Sequence, residues 1–380
     1  MKSTVYVQKC GTYDYHLVLG AVARIFEEAG GVRNLFGSGS KIILKPNLIT
    51  RAGADKCATT HPLVLRAIIE CLKEVTDRIY VGDSPAVGSA RTALEKSGIL
   101  ASIEETGARV ADFDTPAPAS HPAGREMKYF EIAAECLEYD HFISIPKCKT
   151  HCHLSYTGAL KNQYGVIPGL RKARGHMQYN TKRRFADMLV DINTYLEPDF
   201  AIMDAVVGVE GDGLKNSGPR AIGLIMGSSD LVALDATACR LISLDPASTP
   251  VVMEAHARKF GTLDLDEIEI AGEDYRDYIV EDFRKAGTEK SIEHLRAVPL
   301  FIRKRIYNSI IRKPRFDTGK CVRCGDCVEI CPAEPKALEM VGTGVNIDYS
   351  RCTKCYCCYE ACGHGAVHLE SGPLGKILKI

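Results

Sequence analysis

The sequence has no excess of charge, no long apolar run and no leader-like start. Its 380 residues carry 48 Lys and Arg against 48 Asp and Glu, a formal net charge of zero. No overall field therefore draws it to nucleic acid or to a membrane surface, and any electrostatic function must come from local segregation of charge. No stretch approaches the ~18 consecutive apolar residues of a membrane span. The opening MKSTVYVQKC has no apolar core and no small-residue cleavage site, so a secretory leader is not expected. What is present is ordinary: apolar residues make up 46% and charged residues 25%, the proportions of a globular protein, over a length that suits two or three domains.

The unusual content is cysteine. Eight of the sixteen cysteines form two runs, Cys321, Cys324, Cys327, Cys331 and Cys352, Cys355, Cys358, Cys362, each reading C-x2-C-x2-C-x3-C. A cubane cluster needs four thiolates, and in two-cluster ferredoxins the last cysteine of each run ligates the other cluster. The spacing predicts two [4Fe–4S] clusters, one on Cys321, Cys324, Cys327 and Cys362, the other on Cys352, Cys355, Cys358 and Cys331. Zinc sites built from two separated pairs do not match two triplets with trailing cysteines. Cys357 is a ninth cysteine of this region, read as a spectator, an exchangeable ligand or a redox thiol. The other seven are scattered, which fits a reducing cytosol, and they read as buried or unreactive thiols. A cytoplasmic location is expected.

From the N-terminus to about residue 283, helical and extended patterns alternate. Helices are expected over 17–29, 63–75, 90–106, 181–195 and 230–242, and strands over 41–45, 78–81, 108–112, 141–145, 200–203 and 221–226. That alternation predicts an α/β domain with a largely parallel sheet, followed by a basic linker (284–316) and a small α+β ferredoxin-like domain (317–380). The linker segment VPLFIRKRIYNSII mixes apolar and cationic positions like an amphipathic helix, to lie on an anionic membrane, beside the clusters or against the main domain. The cluster domain is too small to build a sufficient core without its metal staples.

Ligands of such sheets bind beyond the carboxyl ends of strands. Four loops qualify: Lys45-Pro46-Asn47, Gly82-Asp83-Ser84-Pro85, Pro146 to His151, and Gly208 to Gly213. From His141 to Ala186 there is no acidic residue at all, but nine Lys or Arg and four His. Such imbalance makes a positive surface whose use is an anion; aromatic interleaving is too thin for nucleic acid. Cys148, His151, Cys152 and His153 offer donors to a metal, but in no standard four-ligand pattern and beside lysines that repel a cation. Gly158, Gly165 and Gly169 stand where backbone can approach a ligand closely.

The chain resembles the prokaryotic DUF362 family, a domain of unknown function often fused to a C-terminal ferredoxin module. The matching motifs are Lys45-Pro-Asn47, Gly82-Asp-Ser-Pro85, Pro146-Lys147-x-Lys149-Thr-His151, Thr157-Gly-Ala-Leu-Lys161-Asn162, Pro168-Gly169, Asp204 to Gly213, and Asp230-x-Val-Ala-Leu-Asp235-Ala. The resemblance covers about residues 40–245 and implies an iron–sulfur protein of anaerobic type. The expected function is a redox enzyme, a ferredoxin-type oxidoreductase coupling two clusters to an anionic small molecule, with room for an organic cofactor between them. Lys147, Lys149, Lys161 and Arg171, with Asn162, would hold the anion. His151 would handle a proton, with Asp83, Glu210 or Asp212 as acid–base partners, although each acid also suits a turn or cap. The alternatives are an electron carrier whose α/β domain docks a larger redox partner, and an iron–sulfur scaffold or maturation protein.

Overall fold

A computed structural model describes residues 2–48, 57–211, 218–286 and 309–373. Asp212 and most of the amphipathic stretch of the linker lie outside the described residues. No described helix is long and apolar enough to cross a membrane.

Twelve strands form the larger part: β1 (Ser3–Lys9), β2 (Ile42–Pro46), β3 (Ile79–Val81), β4 (Arg109–Val110), β5 (Pro116–Ser120), β6 (Tyr129–Ala133), β7 (His141–Ile145), β8 (Lys147–His151), β9 (Ser155–Thr157), β10 (Phe200–Glu210), β11 (Gly218–Ser228) and β12 (Ile268–Gly272). Ten of them make one sheet in the order β12-β1-β11-β10-β7-β2-β3-β4, with β8 attached to β10 and β9 to β8; β5 and β6 pair separately. The β10–β7–β2–β3–β4 stretch is parallel throughout. β11 runs antiparallel between β1 and β10, so the sheet is mixed but mostly parallel.

Alternation along the strands explains the layers. Ile42, Leu44, Ile143, Ile145 and Ile202 point into one core, against the helices Tyr15–Glu28 and Pro62–Leu72. Ile43, Phe142, Ala201 and Met203 point into the other, against Lys182–Leu196, Leu231–Leu241 and Pro250–Ala257. With side chains alternating across a strand, a sheet covered on both faces is apolar at most positions, and β2 is buried along its whole length, Lys45 included.

Three local differences from the sequence pattern have plain causes. The helix expected over 90–106 is two, Ala90–Lys96 and Ile99–Thr106, divided at Gly98 with φ +77°. The segment after Pro146, expected as a loop, is strand β8. Proline stops β7, but Lys147 and Lys149 re-pair with β10 opposite Asp204 and Val209, and β8 then turns back into β9. The Gly208–Glu210 part of the fourth expected loop is the end of β10.

In the smaller part, β13 (Lys313–Phe316) pairs with β16 (Val367–Glu370), and β14 (Leu338–Val341) with β15 (Gly344–Ile347). Strand β13 falls inside the stretch expected as linker, yet its partner lies beyond both cysteine runs. Each run carries one short helix, Asp326–Glu329 and Cys357–Ala361. The residues flanking the second cysteine of each run, Arg323 and Gly325, Lys354 and Tyr356, all have positive φ, so the sequence repeat is also a repeat of backbone conformation.

Candidate functional site

The polar groups at the carboxyl ends of β2, β3 and β7 are joined in one network. Lys45 Nζ, on β2, lies 2.8 Å from Asp83 Oδ1 just after β3, and both side chains are buried. Asp83 Oδ2 accepts from Leu48 N at 2.7 Å. Asn162 Oδ1 accepts from Asn47 Nδ2 at 3.1 Å, and Asn162 Nδ2 donates to Lys45 O and Ser144 Oγ, each at 3.0 Å. Asn47 Oδ1 in turn accepts from Lys149 Nζ at 2.5 Å. Asn162 is presented by a single helical turn, Ala159–Asn162, whose first amides donate to the Asp235 carboxylate at 2.6 and 2.9 Å. Burial raises the Asp235 carboxyl to about 7, those two amides opposing.

Two of the three glycines expected to approach a ligand, Gly158 and Gly165, approach this network instead. A Cβ on Gly165 would lie 1.8 Å from Asp83 Oδ1 and 2.4 Å from Lys45 Nζ, and one on Gly158 would meet Asp235 Oδ1 at 2.0 Å. Gly165→Ala is therefore expected to force the buried Lys45–Asp83 pair apart, at a cost of about 3–5 kcal/mol, the usual penalty for uncompensating a buried charge. Denaturant unfolding checks it; a change below ~1 kcal/mol would mean that the loop yields freely.

Above the network lies a cavity of about 180 Å³. Its α/β wall includes Asn47, Asp83, Lys149, His151, Lys161, Asn162, Lys172 and His176, and its opposite wall comes from the cysteine-rich part, through Ile330, Cys357, Tyr359, Glu360 and Ala361. The two parts also meet in an apolar contact of Val87 and Ala173 with Ile330, Cys357 and Ala361, and in the Arg174–Glu334 ion pair at 3.6 Å.

The cavity is rich in cationic groups whose charge burial opposes. Lys149 is held well below its ordinary value, by burial first and then by Lys161. Burial also lowers Lys161, with Glu360 opposing. It brings Lys172 to about 7 against the pull of Asp83, and His176 to about 4. Lys149 and Lys172 spend protons on Ala58 O and Ser84 O, whereas Lys161 makes no hydrogen bond or ion pair among the described residues. An anion placed here would favour the charged forms of all of these groups.

His151 is fixed in one tautomer. Its Nδ1 accepts from the amides of His153 and Leu154, each at 3.1 Å, so the neutral ring carries its proton on Nε2. Nε2 lies 3.0 Å from Glu360 Oε1 but out of line with it, and it has no hydrogen-bond partner among the described residues. Cys152 Sγ donates to the same carboxylate oxygen at 3.4 Å. Burial opposes ionisation of Glu360, and the positive surroundings of His151, His176 and Lys161 outweigh it, holding the carboxyl well below its ordinary value. His151, Cys152 and Glu360 converge within 4.8 Å, yet a metal at Nε2 would have to take the only proton of the ring, beside two lysines. Cys148 is fully buried in the core and His153 packs on His176 and Phe185, so the four donors grouped in the sequence do not converge. His151 is a donor aimed into the cavity.

Of the residues singled out in the sequence, Asp83, Lys149, His151, Lys161 and Asn162 line this cavity. Lys147, Arg171 and Glu210 do not. Lys147 Nζ is buried between Tyr13 OH at 2.6 Å and Asp204 Oδ2 at 2.8 Å. Arg171 pairs with Glu131 at the surface. Glu210 accepts from Arg284 Nε at 2.8 Å and Arg284 N at 3.1 Å, tying the segment after Phe283 to β10. Lys172 and His176 were visible only as members of the acid-free stretch. Glu360 carried no signal, because nothing in the spacing of the second run says which way its helix faces.

The cysteine runs surround two further, smaller cavities. One is lined by Cys321, Cys324, Cys327 and Cys362 with Phe316, Met340 and Val345. The other is lined by Cys331, Cys352, Cys355 and Cys358 with Pro314, Leu338 and Ile347. Four thiols in an apolar shell, three from one run and one from the other, are the donor set an iron–sulfur cluster requires, so the residues present fit such a group.

Residues 42–240 match the family model described as a domain of unknown function (DUF362), and residues 313–363 match a 4Fe-4S dicluster domain. The chain is 31% identical over 253 residues to a thylakoid-associated protein of Synechocystis sp., covering 66% of this chain and 78% of that protein. It is 30% identical over 89 residues to an iron–sulfur subunit of the CoB–CoM heterodisulfide reductase of Methanocaldococcus jannaschii, covering 19% of this chain and 14% of that one. Among solved structures, the lactate racemase apoprotein of Thermoanaerobacterium thermosaccharolyticum superposes with a TM-score of 0.40 at 14% identity, over 64% of this chain and 57% of that one. The dicluster match makes the protein an iron–sulfur protein with a role in electron transfer. On the family match over 42–240 and the Synechocystis relative together, the chain belongs to the DUF362 family, with a 4Fe-4S dicluster domain at its C-terminal side.

Proposed function

We propose that this protein couples two [4Fe–4S] clusters to a small anionic ligand held in the cavity between the α/β loops and the dicluster region. Cys321, Cys324, Cys327 and Cys362 would hold one cluster, and Cys331, Cys352, Cys355 and Cys358 the other. The observation that carries the proposal is the helix Cys357–Ala361, which lends Cys358 to a cysteine-lined cavity and Cys357, Glu360 and Ala361 to the ligand cavity. When bound, the clusters supply one-electron transfer. Lys161 brings an ammonium that makes no hydrogen bond or ion pair among the described residues, and His151 Nε2–H a proton fixed in direction. Asp83 acts through Lys45 and Asn162 to hold the floor of the cavity. Lys149 adds a second positive charge from that floor.

An external redox partner is part of the same proposal. The cavity of Cys321, Cys324, Cys327 and Cys362 has an outer side, where Cys324 is exposed and Val322 is 58% exposed. An exposed apolar residue beside a cluster suits a transient electron donor or acceptor, and similarity to part of a heterodisulfide reductase is consistent with assembly into a redox complex.

The test is anaerobic purification of the full chain, with iron and sulfide analysis, EPR in oxidised and reduced forms, and mass analysis of released small molecules. Two reversible one-electron signals and a co-purifying anion are expected. Lys161→Ala is expected to weaken retention of that anion about 10- to 100-fold, the worth of one charge-assisted hydrogen bond, with iron and sulfide unchanged. Equal retention by wild type and variant would remove Lys161 from the site, and clusters without reversible redox would remove electron transfer from the function.

A further inference from the structure

Two carboxylates line the ligand cavity among its described residues. Asp83 is engaged by Lys45 and the Leu48 amide. Glu360 is differently placed. It comes from the dicluster side, its side chain is 29% exposed, and its Oε1 stands 3.0 Å from His151 Nε2 without the alignment of a hydrogen bond. The His151 side chain is 9% exposed, so its N–H is a buried donor with nothing in line to accept it among the described residues. Lys161, on the same cavity, makes no hydrogen bond or ion pair among the described residues. A carboxylate thus already stands against the His151 N–H, at ion-pair distance but out of line with it.

We propose that the ligand of this cavity is a small monocarboxylate, whose carboxyl group displaces that of Glu360 and accepts from His151 Nε2–H and Lys161 Nζ. The inference rests on the anionic-ligand reading above and narrows it. One imidazole N–H and one ammonium match the two oxygens and single charge of a carboxylate. Inorganic phosphate would carry further oxygens and charge against walls whose described residues include no arginine, the residue suited to forked recognition. The body of the ligand must be short and mainly apolar. A volume of about 180 Å³ is close to the ~150 Å³ that accommodates a benzene-sized guest, and Leu48, Ala86, Val209 and Ile330 are among the apolar residues of the walls. Because Glu360 sits two residues from both Cys358 and Cys362, its displacement links ligand binding to the helix between the two cysteine-lined cavities, and that linkage acts in both directions.

The experiment uses the full, cluster-loaded chain under anaerobic conditions, titrated by calorimetry with butyrate and separately with inorganic phosphate. Glu360→Gln removes the competing charge at nearly constant shape and is expected to tighten butyrate binding about tenfold, with no comparable gain for phosphate. In the unmodified protein, butyrate is expected to protect Lys161 from an amine-selective acylating reagent, read by peptide mass analysis; this measurement needs no variant to fold. Butyrate binding that is unchanged in Glu360→Gln, or phosphate protecting Lys161 where butyrate does not, would overturn the monocarboxylate while leaving the anionic site standing. No protection of Lys161 by either anion would overturn the anionic site as well.

Discussion

Replacement of Cys331 by alanine is expected to abolish the cluster site of the other cysteine run and to spare the site of its own. Cys331 closes the first run in sequence, yet it lines the cavity of Cys352, Cys355 and Cys358, while Cys362 closes the cavity of Cys321, Cys324 and Cys327. A cubane left with three thiolates loses its enclosing coordination, so iron and sulfide should fall by about half. The reduced EPR spectrum should keep the signal that is abolished in Cys362→Ala. Stability should fall too, because the core of this region is little more than Leu338, Tyr356, Tyr359, Ala366 and Val367 around the cysteines themselves, and metal binding in such modules is folding free energy. Cys331→Ala is expected to lose the same signal as Cys355→Ala, and Cys362→Ala the same signal as Cys324→Ala. Loss of one and the same signal in Cys331→Ala and Cys324→Ala would disprove the crossed arrangement.

The second large effect lies in the α/β part and involves no ligand. Lys147 and Asp204 form an ion pair at 2.8 Å with neither side chain exposed, and Tyr13 OH donates to Asp204 Oδ1 at 2.8 Å while its ring stacks on His61 at 3.7 Å. Lys147→Ala leaves Asp204 with Tyr13 OH and the amides of His61 and Val206 but without a counter-charge. The expected loss is about 3–5 kcal/mol, towards the lower end because those three donors remain. Removing both charges while keeping an acceptor, in Lys147→Met with Asp204→Asn, should restore part of it, since no uncompensated charge is left buried and the Asn carbonyl can still accept from Tyr13 OH and Val206 N. Denaturant unfolding with an unchanged slope would read both variants. A single variant within ~1 kcal/mol of wild type would mean that water reaches Asp204. Lys161→Ala, which removes no hydrogen bond or ion pair among the described residues, should leave stability nearly unchanged, which separates the structural lysine from the cavity-lining one.

These two lysines mark where the sequence was legible and where it was not. Both lie in the acid-free stretch from His141 to Ala186, and charge alone gives them the same expected role. On β8, Lys147 faces Tyr13 and Asp204, residues 134 and 57 positions away, and only the strand order brings those groups together. The same holds for Glu210, neutralised by Arg284, and for Arg171, drawn outward to Glu131. Asp83 was found because the loop carrying it follows a buried strand of a parallel sheet, where position along the pattern already implies the ligand edge, and Asn162 because it closes the motif Thr157-Gly-Ala-Leu-Lys161-Asn162. The β8 strand was missed because Pro146 looks like a terminator, and the pairing that rescues it lies in β10, far along the chain.

Sequence by itself determined the features with short-range causes. These are the thiolate spacing that fits one cluster loop, the apolar strands of a sheet covered on both faces, and an unbalanced positive stretch. Each depends on residues within one loop or one turn of periodicity. The tertiary structure alone decided that the cysteine-rich helix would close the cavity, that Glu360 would face His151, and that Lys161 would make no ion pair among the described residues while Lys147 was buried in one. Those outcomes depend on which surfaces meet after folding. Buried charges are governed by partners distant in the chain, and no local pattern encodes them.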